Sequence, residues 1–365
     1  MMARFESTPL FPGMTTVRRG FGFPLGLAAV LLTLALAGNA KAQLPIAKSG
    51  EVIPRDVREM YDRGLQYLAS SQTENGDWAS QGGDIGPGTT GLAIMAFLAS
   101  GEDPNFGPYS NHVRRSLRNI ITAQNADTGY FGVSMYHHGF AMLGLAEAYG
   151  AVDERNLWPD PKGKRSIGQA LELAVRAALT SQKKNPLGAW RYSPESTDAD
   201  TSVSGAVMVG LLAARNAGIE IPDEAIDRAV GYFKSMTSSN GFVAYAGGMG
   251  GFGDSTARSA IATLVYAVAR RKDLTEFKAT LDHSKERMEQ PVPGYPEYGR
   301  YYQAQALFQG DTAAWEKWNK MVIRQLKQAQ RPDGSFQGQW GPSFSTSMSL
   351  LALALNYRFL PIYER

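Results

Sequence analysis

Arg63-Gly64-Leu65-Gln66-Tyr67-Leu68-Ala69-Ser70-Ser71-Gln72-Thr73-Glu74-Asn75-Gly76-Asp77-Trp78 closes an amphipathic stretch on a glutamine and enters a polar, glycine-containing turn that ends in an aromatic. A small-residue-rich apolar segment follows. The same order returns along the chain. Gln124 precedes Gly129-Tyr130-Phe131, and Gln182 precedes Gly188-Ala189-Trp190. Met236 stands in the glutamine position before Asn240-Gly241-Phe242, and a worn copy has Gln290 before Pro293-Gly294-Tyr295. The last copy is Gln330 with Asp333-Gly334-Ser335-Phe336. From Gln72 to Gln330 there are 258 residues in five steps, about 52 per repeat, which suits two helices and two connections.

The two helices of each repeat differ in character. The second ones, over 88–100, 134–149, 200–217, 254–271, 295–309 and 343–357, are rich in Gly, Ala, Ser, Leu and Met, as in Gly205-Ala206-Val207-Met208-Val209-Gly210. A helix apolar nearly all round must be covered nearly all round. The first ones, over 55–71, 111–123, 166–181, 222–236, 274–288 and 312–329, carry charge on one face. Six shielded helices alternating with six amphipathic ones predict an all-α fold: an inner ring inside an outer ring, an α/α toroid of six hairpins.

The junctions also carry a resemblance. Arg63-Gly64-x3-Leu68-x3-Gln72-x3-Gly76-x-Trp78 is similar to the QW repeat of squalene and oxidosqualene cyclases, and Gln182-x5-Gly188-x-Trp190 to its second half. Gln124 and Gln330 keep the spacing with Phe131 and Phe336 in place of Trp. From Val52 to Tyr363 the chain resembles the prenyltransferase and squalene-cyclase repeat family, of an exported, bacterial type. In physical terms the motif reads as a staple: the glutamine amide bonds backbone groups at a helix end while the aromatic covers it. Gln72, Trp78, Gln124, Gln182, Trp190 and Gln330 are therefore expected to be structural.

The chain has 365 residues, no cysteine and a formal charge of +3. Residues 1–42 hold Arg4, Arg18, Arg19 and Lys41 against Glu6, which accounts for all of that charge. The neutral remainder offers no electrostatic footprint for nucleic acid. Arg18-Arg19 ahead of an apolar run over 25–37 and an Ala40-x-Ala42 site reads as a signal peptide, with Arg18-Arg19-Gly20-Phe21 similar to a twin-arginine signal. The thirteen-residue run is short of the ~20 residues that cross a bilayer. A single toroid domain over 43–365, periplasmic or secreted and with no transmembrane segment after cleavage, is the expected mature protein.

The chemistry of the family is then tested at its own residues. Proton-initiated cyclisation uses a DxDD acid and diphosphate ionisation a DDxxD magnesium motif, yet the chain has no Asp-Asp pair. Thr197-Asp198-Ala199-Asp200-Thr201 puts alanine where the proton donor would stand. Absence of cysteine removes the zinc site of protein prenyltransferases and the thioester of complement-type toroids. No metal or cofactor is expected.

Candidate residues remain at the N-terminal ends of the inner helices, where a mouth would lie. Asp200 and Asp254 stand as reacting carboxylates or as N-caps, as does Thr89 for capping. His137 and His138, neighbours about 100° apart on a helix, supply at most one imidazole to a cavity. Tyr136, Arg258, Tyr298, Tyr301 and Tyr302 are candidate ligand contacts. The expectation is a non-catalytic toroid that binds an apolar or carbohydrate ligand, or an envelope protein, at its mouth. The alternatives are a divergent polyprenyl or triterpene cyclase and a polysaccharide-acting α/α-barrel enzyme.

Overall fold

The computed structural model describes residues 53–79, 86–247, 253, 255–292 and 294–363, so the leader and Asp254 lie outside the described residues. The described residues hold twelve α-helices and three short 3₁₀ turns joined by loops, with no β-strand and only two isolated bridges, Asp200 to Ala246 and Thr237 to Val243. The outer helices are α1 (Arg55–Ser71), α3 (Ser110–Ala123), α5 (Ile167–Lys184), α7 (Asp223–Met236), α9 (Thr275–Glu286) and α11 (Thr312–Ala329). The inner ones are α2 (Pro87–Leu98), α4 (Met135–Ala148), α6 (Thr201–Asn216), α8 (Thr256–Val268), α10 (Pro296–Gly310) and α12 (Pro342–Leu353). Each inner helix packs on the one before and the one after, and α12 returns onto α2, so the inner ring closes. None of the described helices is long and apolar enough to cross a membrane.

The difference in composition between the two sets becomes a difference in burial. Every residue of α2 is buried, whereas α1 buries one face through Val57, Met60, Tyr61, Gly64, Leu65, Tyr67 and Leu68. Glycine lets the inner helices meet backbone to backbone. A Cβ on Gly91 would fall 2.4 Å from the Phe140 carbonyl oxygen, and one on Gly139 would fall 2.6 Å from the Ala206 carbonyl carbon. Such approaches exclude any side chain larger than hydrogen.

The junctions tie each repeat to the next. The Gln124 side-chain amide donates to Gly129 O at 2.9 Å and to Ala170 O on the following outer helix at 2.8 Å. Gln182 does the same to Gly188 O and Ala225 O, both at 2.8 Å. Gln72 donates to Gly76 O, His112 O and Ser116 Oγ. The indole N–H groups of Trp78 and Trp190 donate to Leu68 O and Ala178 O, carbonyls in the C-terminal part of the preceding outer helix. Each buried glutamine amide is thereby satisfied by backbone carbonyls of its own turn and of the next outer helix. The sequence suggested a bond between an outer helix and its own turn; the structure extends the tie to the next outer helix.

Two capping assignments change. Gly86, with no side-chain cap, is the N-cap of α2, and Thr89 lies within the helix because Pro87 starts it. Ser255, not Asp254, caps α8 by accepting from the Arg258 N–H.

A candidate ligand site at the mouth

The N-terminal ends of all six inner helices border two adjoining cavities, of about 430 and 320 Å³. The larger is lined by Tyr136, Ser202, Tyr245, Arg258 and Tyr298, among others, and the smaller by Thr89, His137, Phe140 and Phe344. Four aromatic residues, Tyr136, Tyr192, Tyr295 and Trp340, belong to both walls. Among the described residues, no carboxylate lines either cavity.

Local sequence explains how these side chains are held. Tyr295 and Trp340 stack face to face, ring centres 4.5 Å apart and planes 6° from parallel, while Tyr298 meets Trp340 edge-on. The hydroxyls of Tyr136 and Tyr298 hydrogen-bond each other across the ring between α4 and α10, and burial pushes both phenols well above their ordinary pKa. Tyr192 Oη and Tyr245 Oη lie 2.8 Å apart, with the Arg191 guanidinium over both rings. Val133 precedes the Ser134 cap of α4 with φ of 62°, an uncommon conformation for a β-branched residue, and is 72% exposed.

The sequence candidates separate. Tyr136, His137, Arg258 and Tyr298 line the cavities. His137 Nδ1 accepts from the Gly88 N–H at 3.2 Å, which places its ring against the start of α2. Arg258 donates from Nε to Val243 O at 2.9 Å and from Nη2 to Gly253 O. His138 points the other way. Fully buried between Tyr130 and Phe131, it hydrogen-bonds Ala174 O on α5 at 2.9 Å, and burial lowers its pKa to about 4. It is a core residue because a 100° step on the helix carries it from the mouth to the outer ring. Tyr301 and Tyr302 are likewise fully buried and, unlike Tyr298, line neither cavity.

Asp200 sits at the rim but is fully buried and lines neither cavity. Its Oδ1 caps α6 by accepting from the Val203 N–H at 2.7 Å. Its Oδ2 has no hydrogen-bond partner and lies 3.6 Å from Arg191 Nε. Desolvation raises its pKa to about 6 against the opposing pull of the Val203 amide and Arg191. Arg191 also approaches the exposed Asp198 at 3.4 Å.

Sequence reasoning passed over Arg191, Tyr192, Tyr245, Trp340 and Phe344. A signal was present: Tyr192, Tyr245, Tyr295 and Trp340 each fall in the connection that leads into an inner helix, the place from which a side chain overhangs a mouth. No group of three His, Cys, Asp or Glu side chains that could hold a metal occurs among the described residues.

Similar architecture occurs in solved structures. The type II terpene cyclase MstE from Scytonema superposes with a TM-score of 0.58 at 16% identity, over 84% of this chain and 99% of that one. The fold is an α/α toroid like that of this cyclase. A glycoside hydrolase family 76 mannosidase from Bacteroides thetaiotaomicron shares the toroid with a TM-score of 0.59 at 11% identity, over 82% of this chain and 98% of that one. Cellobiose 2-epimerase from Spirochaeta thermophila gives 0.58 at 13% identity, over 92% of this chain and 99% of that one. At such identities the likeness is one of fold. No family model and no curated protein matches the sequence.

Proposed function

We propose that this protein is an exported, non-catalytic toroid that binds a ligand at the mouth formed by the inner-helix N-termini. The supporting observation is the composition of that mouth. Aromatic rings and hydroxyls line it, no described carboxylate faces it, and Asp200 is committed to capping α6. Cavities of this size fall in the range of ~300–1,000 Å³ that takes small molecules. The leader read from residues 1–42 supports a periplasmic or secreted location.

The test is turnover. Purified protein is incubated with oligosaccharides and with polyprenyl substrates, and products are followed by mass spectrometry. No product that disappears in Asp200→Asn is expected; such a product would overturn the proposal.

One observation favours an enzyme instead. A carboxyl with a pKa of about 6 keeps a fraction of its protons at neutral pH, as a proton donor must. In that reading Asp200 serves a divergent cyclase, or pairs with Asp254 in a polysaccharide-acting enzyme. The reading requires Asp200 to become accessible, because its carboxylate is sealed behind the rim.

A further inference from the structure

We infer that the mouth takes a neutral saccharide chain, one sugar stacking on the Tyr295–Trp340 platform and a neighbouring sugar meeting the Tyr192–Tyr245 hydroxyl pair; this rests on the reading of the mouth as a binding site.

Three features of the cleft select this class. First, the platform is preformed and reachable. Trp340 backs Tyr295 in a parallel stack, and Tyr295 remains 43% exposed. A rigid aromatic plane offers apolar area at small entropic cost, which suits the C–H face of a pyranose. Second, the site is longer than one ring. The two cavities adjoin, sharing Tyr136, Tyr192, Tyr295 and Trp340, so binding surface lies on both sides of Tyr192, itself 48% exposed.

Third, the polar groups fit hydroxyls better than ions or hydrocarbon. Tyr192 and Tyr245 present paired hydroxyls, and Ser202, Ser255 and Thr256 stand along the same wall. A diphosphate calls for several cations in the wall, whereas Arg258, the only Lys or Arg among the described lining residues, already donates to Val243 O and Gly253 O. A polyprenyl chain has no hydrogen-bonding group to offer this polar wall, whereas sugar hydroxyls both donate and accept. Among the described lining residues no carboxylate stands ready for a basic sugar, and the nearby Arg191 is already paired with Asp198 and Asp200 rather than open to an acidic one. Neutral sugars require neither.

The experiment is isothermal titration of the purified protein with malto-, cello-, manno-, xylo- and chitohexaose, and with geranylgeranyl diphosphate. At least one hexasaccharide is expected to bind with Kd below about 1 mM. Tyr295→Ala should weaken it at least about tenfold, as loss of an aromatic anchor does. Tyr192→Phe, which keeps the ring and loses the hydroxyl, should weaken it about threefold. Phe106→Ala, at an exposed position outside the cleft, should change nothing. Circular dichroism of each variant separates lost binding from lost fold. If no hexasaccharide binds, or Tyr295→Ala binds as tightly as the parent, the inference is overturned. Binding of geranylgeranyl diphosphate alone, unconverted, overturns the saccharide class and keeps the binding reading. Cleavage or isomerisation of a bound saccharide that Asp200→Asn abolishes keeps the class and overturns the non-catalytic reading.

Discussion

The side-chain amide of Gln330, just past the last outer helix, donates to Met60 O on the first outer helix at 2.8 Å, across 270 residues of chain. The same amide donates to Gly334 O at 2.9 Å. This repeats the bond by which Gln124 and Gln182 join consecutive repeats. The closure of the ring therefore uses the same chemistry as its propagation. Gly334 completes the seam, with φ of +89° and its α-carbon pressed against the first helix.

Closing the ring should be sensitive to one methyl group. A Cβ on Gly334 would stand 2.2 Å from Arg63 O, whereas one on Gly163, also at positive φ, would meet nothing within 4 Å. Gly163→Ala is expected to cost about 1–2 kcal/mol from left-handed backbone strain alone. Gly334→Ala should cost clearly more, and Gln330→Ala about 1–3 kcal/mol from unmet buried carbonyls. Urea denaturation of the three variants measures the order; equal losses for the two glycines would show that the seam is not tightly packed.

Gly91 on an inner helix and Gly231 on an outer one should respond to alanine with opposite sign. Gly91→Ala drives a Cβ into Phe140 O at 2.4 Å, while Gly231 on α7 has open space around its would-be Cβ. Gly231→Ala should stabilise by about 0.5–1 kcal/mol through helix propensity. Gly91→Ala should destabilise by more than ~3 kcal/mol or prevent folding, since rigid backbone must move. Thermal melts of both variants decide this.

The pH dependence of stability holds two opposed contributions. His138 has its folded pKa lowered from 6.5 to about 4, so in the unfolded chain it binds a proton first and stability falls as pH drops from about 6.5 to 4. Asp200 has its folded pKa raised from 3.8 to about 6, so the folded chain binds a proton first and stability is regained as pH drops from about 6 to 4. Each contribution is at most about 3 kcal/mol, and they offset. Asp200→Asn, which keeps the cap, should therefore be more acid-sensitive than the parent, and His138→Gln less so. Denaturant midpoints at pH 7 and pH 4.5 test both signs.

The Tyr136–Tyr298 pair should show energetic coupling. Each single Tyr→Phe change leaves one buried hydroxyl with its mutual bond removed, at a cost of about 1–3 kcal/mol. The double variant should cost less than the sum, because neither hydroxyl remains to be desolvated. Additive losses in the double-mutant cycle would show that the two hydroxyls bond elsewhere.

What the amino-acid sequence determined was everything carried by local periodicity. Helices α1 and α11 start and end where charge patterning puts them, and the inner helices differ from expectation only at their ends, as at α2, where Pro87 rather than Thr89 begins the turn. The alternation of shielded and amphipathic segments demanded two rings, because a helix without a polar face has to be covered on all sides. Tertiary structure alone decided which candidates met. Whether His137 or His138 faced the mouth depended on one 100° step, and the burial of the Asp200 carboxylate depended on where the start of α6 packs against the rim. The aromatic walls come from Tyr136, Tyr192, Tyr245, Tyr295 and Trp340, which are far apart in sequence and become neighbours only when the ring closes. Periodicity is a property of a dozen residues at a time; a mouth is a property of six helices held end to end, and its chemistry exists only after Gln330 has found Met60.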